Sequence, residues 1–344
     1  LWKKTRAYEY VKKERAAGPK FYFLDGPPFP SSDTPHIGTC WNKIVKDVVL
    51  RYKRARGFDC RDQPGYDCHG LPIELAIEHQ HDFKQKRDVE AYGLAKFVSE
   101  CKRFANDNSV AMSRVFADLG VWMDWQRPYK THNDDYIESA WWTIKKAQED
   151  GLLEHGLKVV HWCPRCETVL SDYEVVLEYR DMTDPSIYVK FPVEARENEF
   201  ILIWTTTPWT IPSNTGVMVH PDFEYARVRH GNEVYIMAKE RVAHVAAEAG
   251  AELEALETFK GRTLEGLQYR SPVADVVPAQ AHLVGGHRIV LSTEYVTLEE
   301  GTGCVHSAPG HGEEDYEVGI RNGLPVFMLV DNQGKFVAEA GKYS

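Results

Sequence analysis

The sequence predicts an α/β protein, in which a Rossmann-like nucleotide-binding segment is interrupted by a mainly β domain. Three observations carry that prediction. Between Phe21 and Arg61 an apolar run, a Gly-Pro-Pro stop, a helix-spaced stretch and a second apolar run follow one another, the order that opens α/β nucleotide-binding folds. From about Val89 to Gly151 apolar residues recur three and four apart, the period of amphipathic helices. Beyond Cys166 the texture changes to short β-type runs divided by turn residues.

Taken in order, Phe21–Asp25 reads as a strand that Gly26-Pro27-Pro28 ends. From Gly38 the residues Trp41, Ile44, Val45, Val48 and Tyr52 mark one face of a helix that Gly57 stops. A second extended run, Phe58–Arg61, leads into the loop Gln63–Gly70, and Leu71-Pro72 starts a helix with Pro in its first turn. In the helical stretch that follows, Trp122, Trp125, Trp141 and Trp142 are expected in the core. Strands are expected at Tyr188–Phe191, Phe200–Thr205, Val217–His220, Tyr225–Arg229, Glu233–Met237, Ile289–Ser292, Cys304–His306 and Val326–Val330. One helix, Arg241–Ala251, interrupts them. The domains drawn from this pattern are an N-terminal extension at 1–20, an α/β domain at 21–160, a Cys-knuckle connection at 161–184 and a β domain at 185–344.

Bulk properties narrow the function. The 344 residues suffice for two or three domains with cores of their own. A formal charge of −10 argues against a module that holds nucleic acid by a strong positive field, so no DNA partner is expected. The basic clusters Lys12–Arg15 and Arg51–Arg56 could meet phosphates or simply form solvated helix faces. No run of eighteen apolar residues occurs, and the basic, aromatic N-terminus lacks the apolar core of a secretory signal. No membrane association is expected, and a cytoplasmic location is. Seven cysteines, scattered except for Cys163 and Cys166, suit reduced thiols.

The first chemical constellation is FYFLDGPP, then His36-Ile37-Gly38-Thr39, then Gly65-Tyr66-Asp67-Cys68-His69-Gly70-Leu71-Pro72-Ile73-Glu74. A His opening a helix can donate to a phosphate, and a neighbouring Gly lets a nucleotide approach the backbone. The same His can equally be a structural cap. In this joint order the motifs resemble the class I aminoacyl-tRNA synthetases, and the string after Gly65 resembles their isoleucyl branch. Leucyl enzymes have a G-W-D-A-F-G-L-P string there, and valyl enzymes a G-x-D-H-A-G string. The resemblance runs from Phe21 to about Tyr343. It implies the first half of a class I catalytic domain, with His36, Gly38 and Thr39 catalytic. Gly26, Pro27, Pro28, Asp67 and His69 would bind ATP and amino acid, Asp67 facing the ammonium. An Asx-turn is the alternative role for Asp67. The stretch between Pro28 and His36 is one residue longer than the usual family spacing, so its turn is expected to be rebuilt.

Cys163-Pro164-Arg165-Cys166 can supply two of the four ligands that zinc takes, from one turn; a redox or structural pair is the alternative. It resembles a cysteine knuckle of the isoleucyl enzymes, which implies Zn2+ beside the ATP and Mg2+ of the synthetic reaction. His161 reads as a packing residue at a strand end. No K-M-S-K-S-like string, which in this family closes over the ATP phosphates, occurs. The chain is therefore expected to be an N-terminal fragment, without the second half of the catalytic domain and the anticodon-binding region.

The second constellation is Trp204-Thr205-Thr206-Thr207-Pro208-Trp209-Thr210 with Gly301–Tyr316. In an extended chain Thr205 and Thr207 share a face and Thr206 takes the other, though threonines are also ordinary strand residues. Together these blocks resemble the editing domain of isoleucyl, valyl and leucyl synthetases. That resemblance implies Asp315 binding the ammonium of a wrongly attached amino acid. His306 would limit the pocket, and Thr205, Thr206, Thr207 and Asn214 would surround ester and water. Glu313 and Glu314 read as helix-starting charges, and His311 is a further candidate. One methylene separates isoleucine from valine and is worth only about 1–3 kcal/mol in an apolar pocket; this enzyme class is the standard illustration of that limit. The implied partners are tRNA(Ile), L-isoleucine and ATP, with the full-length enzyme a monomer. The alternatives are a valyl or leucyl fragment, or a free-standing aminoacyl-tRNA deacylase.

Overall fold

The Gly-Pro-Pro stop and the His36 start leave room for a crossover helix between two parallel strands, and the computed structural model has that βαβ unit. It describes residues 2–176 and 179–344, and the chain divides into two units, 1–155 and 156–344. The first unit opens with α1 (Trp2–Thr5) and α2 (Ala7–Glu14). Then β1 (Lys20–Tyr22), α3 (Ile37–Ala55) and β2 (Asp59–Arg61) follow. Strands β1 and β2 pair in parallel, Lys20 opposite Asp59 and Tyr22 opposite Arg61. The ladder stops at Tyr22, three residues short of the expected Asp25, because its partner ends at Arg61. A second parallel pair joins β3 (Gly65–Tyr66), inside the expected loop Gln63–Gly70, to β4 (Tyr129–Lys130), inside the stretch expected to be mostly helical. Gly65 is needed there: a side chain would meet the Tyr129 ring at 2.0 Å.

Helices α4 (Leu71–Gln80), α5 (Lys86–Tyr92), α6 (Leu94–Asp118) and α7 (Asp134–Glu149) complete the unit. Ala105, Met112 and Phe116 of α6 pack with Tyr66, Ile73 and Cys40, so α6 joins the β3 loop to the start of α3. The expectation for the tryptophans holds only in part. Trp122 and Trp125 are half-buried, but α7 buries no residue and Trp141 and Trp142 are exposed. Periodicity identifies an apolar face; it does not supply what covers it.

In the second unit, β5 (His161–Cys163) and β6 (Thr168–Leu170) form a hairpin, followed by α8 (Asp172–Val176). The central sheet is built from β7 (Ile187–Pro192), β8 (Glu199–Thr205), β10 (Glu224–His230), β11 (Glu233–Ala238) and β12 (Glu254–Lys260), in the order β12-β10-β11-β8-β7. The intervening β9 (Gly216–Val219) leaves that sheet to pair with β13 (Arg288–Leu291) in parallel and β14 (Cys304–Ser307) in antiparallel register. Helices α9 (Val242–Ala249), α10 (Pro278–Ala281) and α11 (Glu313–Asn322) fill the connections.

Alternation explains why β8 is buried on both faces. Ile201 and Ile203 join Phe191, Val217, Val219, Tyr225 and Ile236 on one face, while Leu202 joins Val228, Met237 and Val245 of α9 on the other. Each such buried side chain contributes about 1.5–3 kcal/mol. Strand β12 was not expected, since Glu-Ala-Leu-Glu-Thr-Phe-Lys is a polar, mostly exposed edge. The expected strand Val326–Val330 makes one bridge, Val330 to Phe336. Among the described residues no helix is long and apolar enough to cross a membrane.

Candidate active sites

In the first unit His36 caps α3: its backbone is extended, and its Nδ1 accepts the Gly38 amide at 3.1 Å. That bond settles the neutral tautomer. With Nδ1 an acceptor, the proton sits on Nε2, so the exposed edge of the ring is a donor. His36, Gly38 and Thr39 line a cavity of about 410 Å3 with Gly26, Pro27 and Pro28, closed by Asn42, Lys43 and Lys46.

Asp25, next to that wall, is wholly buried. Its carboxylate accepts from Lys43, from Lys46 at 2.9 Å and from the Gly65 amide at 3.0 Å. Lys46 also donates to Gly26 O at 3.1 Å. Asp25 thus clamps the Gly-Pro-Pro turn to α3 and to β3. Burial pulls the Lys43 ammonium below its ordinary range, against the opposing pull of Asp25. Two ammoniums facing one carboxylate leave one positive charge over, beside the amino end of a 19-residue helix, and both favour an anion.

Asp67 and His69 lie outside that lining. Their loop is tied to the wall by Asp67 N donating to Pro28 O at 3.0 Å. Asp67 Oδ1 accepts weakly from the His69 amide at 3.4 Å, an Asx-type bond, and from the Thr131 hydroxyl at 3.3 Å. Thr131 also accepts the Cys68 amide at 2.8 Å. The longer Phe29–Pro35 stretch is held by Asn108 donating to Pro30 O at 3.0 Å, with a turn at Ser32–Thr34.

The second unit gathers most of its expected residues into one network. Thr205 and Thr207 share a face, their hydroxyls 3.2 Å apart, and the Thr207 amide donates to Thr205 Oγ1 at 3.0 Å. Thr210 donates to Thr207 O at 2.8 Å and meets His306 Nε2 at 2.9 Å. Asn214 Nδ2 meets His306 Nδ1 at 2.8 Å, and Tyr269 OH donates to Asn214 Oδ1 at 2.7 Å. Pairing of β14 with β9 sets His306 opposite Val217, which brings the two sequence blocks together. Thr206 is exposed and stands apart from this network.

Asp315 lies in the first turn of α11. Gly312 makes room for it, because a side chain there would meet Asp315 Oδ2 at 2.8 Å. Burial pushes the Asp315 carboxyl up to about 6, although the Ala308 amide and the nearby Ser307 hydroxyl favour its charged form. Burial, helped by His311, drives His306 down to about 3, so it is neutral at physiological pH. His311 is also lowered by burial.

The Cys163–Cys166 turn is well formed, the Cys166 amide donating to Cys163 Sγ at 3.4 Å, but it is half a metal site. Among the described residues no group of three or more His, Cys, Asp or Glu side chains could hold a metal ion, and zinc requires four ligands. The described residues therefore do not by themselves fit zinc. Burial also raises the Cys166 thiol, which disfavours the thiolate that a metal needs. His161, expected to pack, is exposed.

Sequence reasoning missed Lys43, Lys46, Thr131, Thr210 and Tyr269. Lys43 and Lys46 are three residues apart on α3, a spacing that places two charges on one helix face. Thr210 lay within the quoted threonine block; Tyr269 carried no local signal.

The family model described as tRNA synthetases class I (I, L, M and V) matches residues 1–329. An isoleucine–tRNA ligase of Thermococcus kodakarensis is 51% identical over 345 residues, covering 98% of this chain and 32% of that protein. Isoleucine–tRNA ligases of Sulfolobus acidocaldarius and Pyrococcus furiosus are 50% and 52% identical, covering 100% and 98% of this chain and 33% and 32% of theirs. The chain spans about a third of the length of the curated relatives it matches. A solved structure titled as that of GlLeuRS-CP1 aligns over 38% of this chain and 56% of its own at 19% identity, with a TM-score of 0.31, too loose to add to the assignment. On the family match and the extent of these identities, the chain belongs to the class I tRNA synthetases of the I, L, M and V group.

Proposed function

We propose that this chain carries the ATP-binding turn and the editing site of an isoleucine–tRNA ligase. In the synthetic reaction the carboxylate of L-isoleucine attacks the α-phosphate of ATP, pyrophosphate leaves, and the isoleucyl group then passes to tRNA(Ile). Such chemistry needs placed donors more than covalent help. His36 Nε2–H, the open backbone at Gly38 and Thr39, and the Lys46 ammonium receive the phosphates against the Gly26-Pro27-Pro28 wall. Asp67 takes the ammonium of the amino acid, with His69 beside it in the same loop. Mg2+ enters on the ATP phosphates, which supply its oxygens.

In the second unit valine wrongly joined to tRNA(Ile) is hydrolysed. Asp315 holds its ammonium, Thr205, Thr206 and Thr207 surround the ester, and His306, held from behind by Asn214, limits the pocket. The enzyme acts as a cytoplasmic monomer. One observation supports this above the others. Two polar sites of different chemistry stand in a chain about half identical, along nearly all its length, to isoleucine–tRNA ligases.

The test uses both reactions. This chain should release valine from valyl-tRNA(Ile) and leave isoleucyl-tRNA(Ile) intact. The full-length enzyme should exchange ATP and pyrophosphate with isoleucine in preference to valine or leucine. A chain that releases neither amino acid, or an enzyme that prefers valine, overturns the assignment.

A further inference from the structure

Two imidazoles stand close together in the second unit, and only one is used up by the fold. The Tyr269 hydroxyl donates to Asn214 Oδ1 at 2.7 Å, which fixes the amide so that Nδ2 is the donor. Asn214 Nδ2 then donates to Gly216 O and to His306 Nδ1, both at 2.8 Å. With Nδ1 accepting, His306 carries its proton on Nε2 and gives it to Thr210 Oγ1 at 2.9 Å, whose own proton goes to Thr207 O. Both nitrogens of His306 are spent on the protein. It can shape a pocket; it has no lone pair for a water.

His311 differs. Its backbone amide is pinned to Ala308 O at 2.8 Å, which sets the ring near enough to His306 to act on it electrostatically. Its Nε2 is sealed from solvent and has no hydrogen-bond partner among the described residues. Ser213 Oγ and Thr215 Oγ1 are likewise sealed and without a partner among the described residues, on a segment joined to Ser307 by the Thr215 amide donating to Ser307 O at 3.0 Å. The Ala308 oxygen that accepts the His311 amide belongs to the residue whose own amide favours the charged Asp315 carboxyl, so one turn holds both side chains. Ser307 Oγ lies near enough to the Asp315 carboxyl to favour its charged form. His311 therefore sits in the turn that holds the group assigned to the substrate ammonium.

We propose that His311 is a catalytic residue of the editing site, its Nε2 accepting a hydrogen bond from the water that attacks the aminoacyl ester. This rests on the editing function proposed above. The water oxygen bonds to the ester carbon, and its proton passes to His311 Nε2. The bond from carbon to the terminal ribose oxygen breaks, and the proton moves from His311 to that oxygen. The products are free valine and uncharged tRNA. Burial holds His311 below the ordinary imidazole range, so the ring is neutral and available at physiological pH.

The experiment is hydrolysis of valyl-tRNA(Ile) by this chain and its variants. His311→Phe keeps the ring volume and removes both nitrogens, and it should lower the rate about 100-fold with little change in KM, the scale of a lost general base. His311→Ala should fall similarly and recover at least about tenfold when imidazole is added, since the free base replaces the side chain. Thermal unfolding midpoints report whether either variant is folded. If the unmodified chain hydrolyses the ester and His311→Phe stays within about twofold of it, or imidazole leaves His311→Ala unmoved, the role of His311 is overturned while editing stands. If the unmodified chain is inactive, editing falls, and this assignment with it.

Discussion

His36 is exposed, with one ring nitrogen tied to the Gly38 amide and the other open, whereas His306 is buried, with both nitrogens bonded. The sites around them follow the same contrast. The first is an open cavity whose charges are fixed behind its wall by Asp25, Lys43 and Lys46. The second is a nearly closed network of neutral hydrogen bonds beside one carboxyl pushed up to about 6. On the proposed function, the first site must admit a large, highly charged phosphate ligand together with its water and counterions, which field and open donors suit. On the same proposal, a site that separates valine from isoleucine must discriminate at the scale of one methylene, and bonds that leave little freedom suit that task.

The largest effect is expected where a charge is buried most completely. Asp25→Ala leaves Lys43, 1% exposed, without its carboxylate. Losing one partner of a buried ion pair costs about 3–5 kcal/mol. Urea unfolding followed by the tryptophans of the first unit should show that loss, with the second unit unaffected. A change under about 1 kcal/mol would mean that solvent reaches the pair, as it does for exposed ones. Next comes Asp315→Ala, which removes the proposed ammonium partner and should slow release of valine from valyl-tRNA(Ile) about 100-fold, as truncating one partner of a buried charge pair does. Unaltered clearance by that variant would remove Asp315 from the site.

The two sites also differ in how far they could be seen in the sequence. His36 was legible because a helix start is a local event: cap, Gly and apolar spacing lie within a few residues. Strands β7 to β11, β13 and β14 were legible for the same reason, as period-2 runs between turn residues, whereas the polar edge β12 and the short β5–β6 hairpin were not. Asp25 was visible as part of FLDGPP but not as a clamp, since its partners Lys43, Lys46 and Gly65 come from α3 and β3. The Thr210–His306–Asn214–Tyr269 chain spans three distant segments, and only the pairing of β9 with β14 brings two of them together. Trp141 and Trp142 show the converse: helical spacing located their helix correctly and misjudged their exposure.

A smaller effect should appear in the pH dependence of the second unit's stability, where the buried groups oppose each other. His306 falls from 6.5 to about 3 on folding, so between those values the unfolded chain binds more protons and stability rises with pH. His287 and His311 are lowered by burial and act in the same direction. Asp315 rises from 3.8 to about 6, so in that range the folded chain binds more protons and stability falls with pH. Three histidines against one carboxyl leave a net gain as pH goes from about 4.5 to about 6.5. Asp315→Asn should steepen that gain, and His306→Gln should flatten it. Midpoints of urea unfolding across this range decide the matter; equal slopes in all three proteins would show that neither group is desolvated.

The smallest change tests whether the network is needed for rigidity or only for folding. Thr210→Val keeps the shape of the side chain and deletes the hydroxyl between Thr207 O and His306 Nε2. Two hydrogen bonds are lost and the buried His306 Nε2–H is left without an acceptor, so stability should fall by about 1–3 kcal/mol. His306 should then gain freedom, which enlarges the set of side chains the pocket admits. The expected result is a fall in the preference for valyl- over isoleucyl-tRNA(Ile) of about fivefold, equivalent to about 1 kcal/mol. A variant that loses stability but keeps its preference would assign Thr210 to the fold alone. Selectivity would then rest on His306 and the walls around it, with His306 held by Asn214 and Tyr269 from its other side.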